Sequence, residues 1–133
     1  MSHLLDANAC IDHLRHGPAS NVSAKLLTAP VGTVFLCSVV VGELQFGARR
    51  TTSAVATLSK VRAFCSPYVS LPFDDWAAEK YAIIRAHLAA LATPIGSNNL
   101  MIAAIALATG LTLVSHNTKD FSRVPGLLLE DWQ

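Results

Sequence analysis

Val34-Phe35-Leu36-Cys37 is an unbroken apolar run of strand length, rich in β formers, with no polar residue alternating through it. A strand with one wet face alternates, whereas a strand covered on both faces need not, so this run predicts a strand inside a parallel sheet. Parallel strands cannot be joined by hairpins and require crossovers, usually helical. The rest of the chain supplies the pieces. His3-Leu4-Leu5 is a short apolar run that ends in Asp6. Tyr68-Val69-Ser70-Leu71 and Leu111-Thr112-Leu113-Val114-Ser115 read as a third and a fourth strand, and the apolar Leu127-Leu128-Leu129 stretch offers a fifth.

Between these runs lie helix-length segments. Asn8 to about His16 has Ile11 and Leu14 on its inner side and stops at Gly17-Pro18; about Ala19 to Ala29 follows, with Val22, Leu26 and Leu27 inward. Val39 to about Arg49 follows the second strand, with Ser38 as its expected cap. Thr51 to Ser66 places Val55, Leu58, Val61 and Cys65 inward. Asp74-Asp75 open a helix to about Leu91, where Ala77, Tyr81, Ile84, Leu88 and Leu91 recur at helical spacing. Acids in a first turn suit the helix dipole, which assigns both to capping. Leu100 to Thr109 is apolar all round and ends at Gly110, which predicts a buried helix. Strands alternating with helices imply an α/β fold with right-handed crossovers, helices on both faces, and a central parallel sheet of four or five strands.

A chain of 133 residues, 52% hydrophobic, suits one domain spanning 1–133, able to bury roughly two thirds of its unfolded surface. Only 14% of residues are charged and mean hydropathy is +0.42, which points to apolar surface for a partner or a second copy. No apolar run approaches the roughly 18 residues of a membrane span, so a cytosolic protein is expected. Cys10, Cys37 and Cys65 lack disulfide or zinc spacing and read as buried free thiols. A net charge of +1 does not announce a nucleic-acid binder, so a bound cation or local patch would have to supply the attraction.

Polar residues that could do chemistry fall where a parallel sheet would gather them. Asp6 follows the first strand, at the end where open α/β sheets bind ligands. As a favoured N-cap residue it could equally serve the next helix. Glu43 lies one turn into the helix after the second strand, among Val41, Gly42, Leu44 and Phe46. A carboxylate in such surroundings is costly unless paired or metal-bound. Asn99 opens the apolar helix, and Asn117 to Asp120 follow the fourth strand. Carboxylates gathered without basic partners imply a hard divalent cation such as Mg²⁺ or Mn²⁺, and hence phosphoryl chemistry. No nucleophile elbow, Gly-rich phosphate loop or zinc-spaced Cys/His set is present. His116 stands nearest the proposed site, where a surface or supporting role is expected.

Leu4-Leu5-Asp6-Ala7-Asn8, Ser38 to Leu44 with Gly47-Ala48, Pro94-Ile95-Gly96 through Ile102-Ala103-Ala104, and Leu113 to Asn117 together resemble a PIN-domain nuclease. Asn117 to Leu127 and Leu129-Glu130-Asp131-Trp132 resemble the tail of VapC toxins of bacterial type II toxin-antitoxin systems. The resemblance covers nearly the whole chain. It implies a three-layer α/β/α sandwich and a Mg²⁺- or Mn²⁺-dependent endoribonuclease site holding metal through Asp6, Glu43, Asn99 and Asp120, with Asn8, Ser115 and Asn117 in support. It further implies tRNA as substrate class, initiator tRNA included, a VapB-type antitoxin that reaches operator DNA on behalf of the complex, and a homodimer within that assembly.

Asn99 departs from the pattern, which has Asp there. Two unit charges about 4 Å apart interact by roughly 4 kcal/mol at an effective dielectric near 20, and a dication doubles the gross attraction. Losing one carboxylate therefore implies weaker metal binding or impaired catalysis. Two rival readings follow. In one, the chain is a non-catalytic binding module within an antitoxin complex that represses its own operator. In the other, it is a phosphoacceptor domain, which needs an acid after the third strand; Leu71-Pro72-Phe73 stands there instead.

Overall fold

The computed structural model describes residues 1–133. In chain order it contains β1 (His3–Leu5), α1 (Ala7–His16), a 3-10 turn (Gly17–Ala19), α2 (Asn21–Thr28), β2 (Val34–Cys37), α3 (Ser38–Arg49) and α4 (Ala54–Cys65). Then come β3 (Val69–Leu71), α5 (Asp75–Ala90), α6 (Ser97–Thr109), β4 (Thr112–Val114), α7 (Thr118–Phe121) and β5 (Leu129–Glu130). The expected fifth strand is present, only two residues long. Every strand pairing is parallel, in the order β3-β2-β1-β4-β5. Helices cover the sheet, giving the expected α/β architecture.

That order matters for function. The chain builds outward from β1 through β2 to β3, then returns to the other side of β1 with β4 and β5. The order reverses at β1, and in open α/β sheets the crevice at such a reversal, beyond the strand ends, is where ligands bind. Leu5 pairs with Val114, and Val114 with Glu130. The next residue of each strand, Asp6, Ser115 and Asp131, therefore forms a polar row at the mouth of that crevice. The row is fixed by backbone bonds from Asp6 N–H to the Val114 carbonyl at 3.1 Å and from Ser115 N–H to the Glu130 carbonyl at 2.9 Å.

The core is one cluster in which Leu4, Leu5, Leu36, Leu113 and Val114 of the sheet meet Cys10, Val22, Val40, Ile84 and Leu88 of the helices. As expected for an apolar-all-round segment, α6 buries Leu100 and Ile102 through Ala106. It ends at Gly110, whose φ of 70° is left-handed, a conformation glycine takes without a Cβ clash. No helix is long and apolar enough to cross a membrane.

Some inward assignments fail. Leu27 and Val55 are each 88% exposed, and Leu91 is 58% exposed. Leu27 lies five residues from the buried Val22, about 140° around the helix, so the two cannot share a face. Val55 and the buried Val61 are separated by about 120° for the same reason. Leu91 falls at the C-cap of α5, beyond its last regular turn. The Ser38 hydroxyl is not the cap of α3, because the helix begins at Ser38 itself and the capping position is Cys37, which offers no side-chain bond.

Candidate active site

Asp6 leaves the sheet where β1 ends and turns directly into α1. It is the N-cap of that helix, and its carboxylate accepts a hydrogen bond from Ala9 N–H at 2.8 Å. It is also 4% exposed and belongs to the crevice. The position that caps α1 thus also sets the carboxylate at the mouth of the crevice. Burial pushes the Asp6 carboxyl above its ordinary range; the Ser115 hydroxyl and Ala9 N–H pull it down, Asp131 raises it further, and His116 lowers it.

Glu43 approaches from α3. Burial raises its carboxyl, and the charge of Asp6 raises it again, so the structure brings these two acids together. Neither takes part in an ion pair with a protein cation; the ion pairs involve Glu130, Asp12, Asp131 and Asp120. Glu43 Oε1 is buried without any hydrogen-bond partner. A buried carboxylate oxygen left unpaired beside a second carboxylate is an unfavourable arrangement for the protein alone.

The other predicted residues are placed differently. Asp120, in α7, takes a hydrogen bond from Asn117 Nδ2 at 3.1 Å and lies 3.5 Å from Arg123 Nη1. Asn117 caps that helix by accepting from Asp120 N–H at 3.4 Å, and its own N–H donates to Ser115 Oγ at 2.9 Å. Ser115 thus links the Asp6 end of the crevice to the Asn117–Asp120 turn. Asn99 sits half-buried in the first turn of α6, and Asn8 is exposed in the first turn of α1. No three His, Cys, Asp or Glu side chains converge as a metal cage. Asp74 accepts from Ala77 N–H at 3.0 Å and caps α5, as its position in the sequence predicts.

The chain matches the PIN domain family model over residues 3–127. It is 35% identical to the tRNA(fMet)-specific endonuclease VapC of Shigella flexneri over 132 residues, 99% of this chain and 98% of that one. Its structure is similar to that of DNA-bound VapBC from Salmonella typhimurium, with a TM-score of 0.94, 32% identity and coverage of 100% and 99%. It is also similar to VapBC2 from Rickettsia felis bound to a DNA fragment from its promoter, with a TM-score of 0.93, 32% identity and full coverage of both chains. The chain belongs to the VapC family of PIN-domain proteins.

In this VapC-family chain, residues that no site motif marks in the sequence also act on Asp6. Asp131 enters only as part of a tail motif, yet it is the β5 member of the polar row and its charge acts on Asp6. Its Oδ2 holds His116 Nδ1 at 2.9 Å. The signal was the parallel register, which sets the residue after β5 level with Asp6. The thiols of Cys10 and Cys37 border the same site. Burial pushes Cys37 up to about 11 and drives Cys10 well above its ordinary value, with Asp6 adding to it. Both are therefore neutral and belong to the apolar core beneath it.

Proposed function

We propose that this chain is a metal-dependent endoribonuclease toxin of the VapC type. The observation that carries the reading is the Asp6–Glu43 pair, brought together with no protein cation and with Glu43 Oε1 buried and unpartnered. A small divalent cation would satisfy both. Mg²⁺ is commonly held by one or two carboxylates plus water and substrate phosphate rather than by an all-protein cage, so two carboxylates are an adequate core. The oxygen donors suit Mg²⁺ or Mn²⁺ and not a softer ion. When bound, the cation supplies Lewis-acid stabilisation of charge developing on a phosphodiester.

The chain's own groups divide the remaining work. Asp6 and Glu43 would hold the metal, with Asp6 fixed by Ala9 N–H and Ser115. Asp120 and Asn99 would be the further oxygen donors to the cation, and Asn117 orients Asp120. Asn8 borders the opening. With Asn99 as a neutral donor the site is one charge short, so the chain is an impaired form of the enzyme. The substrate is RNA of the tRNA class, initiator tRNA included, in line with the activity named for the Shigella flexneri relative. The partner is a VapB-type antitoxin in a toxin homodimer-containing assembly that reaches operator DNA through the antitoxin, in line with the DNA-bound VapBC complexes of the two structural relatives. The setting is the bacterial cytoplasm.

An Asn99→Asp variant incubated with tRNA should cleave it in Mg²⁺ or Mn²⁺ and do so faster than the parent chain. Adding Asp6→Ala should abolish the cleavage. Equal, metal-independent cutting by both variants would overturn the mechanism.

A further inference from the structure

Phe46 is a large aromatic side chain left 63% exposed on the helix that carries Glu43. It lies three residues, about 4.5 Å along the axis, beyond that acid. Residues three apart are neighbours on a helix surface, so the ring lies one turn along α3 from Glu43. Gly42 and Gly47 flank it, and a Cβ added at either would meet nothing within 4 Å. Small neighbours thus add no bulk beside the ring, which is left largely open to solvent. Arg50, on the same stripe, places its guanidinium carbon 5.4 Å from the ring centroid.

Cations continue past the acids. Glu43 and Gly47 line a groove of about 330 Å³ between α1, α3 and α4, and Arg15 and Lys60 line it with them. In a chain of net charge +1, two cationic side chains thus share the groove of Glu43, and a third, Arg50, lies over the exposed ring one turn further along α3. Proteins that bind unpaired nucleic acid combine these parts: aromatic faces on which bases stack, and cations that follow the phosphates. The mixture suits a polyanion with aromatic bases better than an apolar helix face, which would leave Arg15, Lys60 and Arg50 unused.

We propose that Phe46, backed by Arg50, is the stacking platform for an unpaired base next to the scissile phosphodiester, with Arg15 and Lys60 taking the flanking phosphates. The proposal rests on the nuclease reading and adds how the chain selects substrate. It prefers a nucleotide that can be splayed out of a helix, as in an RNA loop, over a base-paired one. Phe46 positions substrate and plays no part in bond cleavage.

The test is binding, measured by fluorescence anisotropy with the full chain in EDTA, so that cleavage does not enter. The probe is a labelled single-stranded RNA oligonucleotide of mixed sequence, paired with an abasic version of the same backbone. Phe46→Ala should weaken binding to the RNA roughly ten- to hundredfold, the loss typical of one stacked base, while Phe46→Trp retains it. The abasic probe should bind the parent and Phe46→Ala alike. Phe46 is exposed, so these variants keep the fold, which circular dichroism verifies.

Equal affinity of Phe46→Ala and the parent chain for the RNA would overturn the proposal. So would failure of the parent chain to bind the probe, or an equal loss on both probes. Loss of antitoxin binding or of a dimer by Phe46→Ala, with RNA affinity unchanged, would assign the ring to a protein contact instead and equally overturn it. If RNA binds through Phe46 yet Asn99→Asp never cuts it, the nuclease reading fails and the platform stands; if cutting occurs with KM indifferent to Phe46, the reverse holds.

Discussion

Glu43 shows how a single residue can be unfavourable for the folded protein and useful to it. Its raised carboxyl, and that of Asp6, mean that both acids hold protons more tightly in the fold than in the unfolded chain. The pair therefore adds stability below the ordinary values of 3.8 and 4.5, and that contribution is lost as pH rises through the raised folded-state values. At neutral pH the two charges work against folding. Glu43→Gln should accordingly raise the melting temperature at pH 7 by a few degrees and leave it nearly unchanged near pH 4. A lower melting temperature at pH 7 would mean that Glu43 has a stabilising partner in the apo protein. The same residue illustrates what sequence could reveal. An acid among Val41, Gly42 and Leu44 already signals an unusual environment, and the structure supplies the neighbour, Asp6. Asp120 was less legible, because its bond from Asn117 and its approach to Arg123 depend on how a four-residue helix folds back on itself.

Among the elements, β5 does more than its two residues suggest. Glu130 Oε1 accepts from Trp132 Nε1 at 3.0 Å and lies 3.2 Å from His3 Nε2. The Trp132 and His3 rings are tilted with centroids 5.0 Å apart. The chain's two ends are thereby clasped, and Asp131, between Glu130 and Trp132, is held level with Asp6. Trp132 is 8% exposed, so Trp132→Ala should cost about 3 kcal/mol, the lower end for a large aromatic, read as a fall in the urea midpoint. A loss below about 0.5 kcal/mol would show that the clasp is decorative, since that is the range of ordinary surface substitutions. The run at Val34–Cys37 was legible to the residue, because a short apolar stretch of β formers without alternation suits a strand covered on both faces. β5 was visible only as an apolar tail, since a short edge strand takes its identity from β4. Leu27 and Val55 were misplaced because an apolar residue on a short helix carries no phase of its own.

At the scale of the molecule, the strand order β3-β2-β1-β4-β5 converts residues distant in sequence into one polar row, and α3 adds Glu43 to it. The fold class was readable from the alternation of strand and helix, whereas the row required the register. Mean hydropathy pointed to apolar surface, and the structure shows it: Leu27, Val31, Val55, Trp76 and Leu128 are all largely exposed. They belong to several elements and loops of the chain, and apolar surface of this kind suits a protein that a partner covers. All of the proposed chemistry depends on the Asp6–Glu43 pair being a divalent-cation site. Thermal melts of the parent chain and of Glu43→Gln, each at pH 7 with and without millimolar Mn²⁺, test it most directly. Binding to the folded state alone raises stability, so Mn²⁺ should raise the melting temperature of the parent and leave that of Glu43→Gln almost unmoved. An equal rise in both, or none in the parent, would contradict a cation site at this pair.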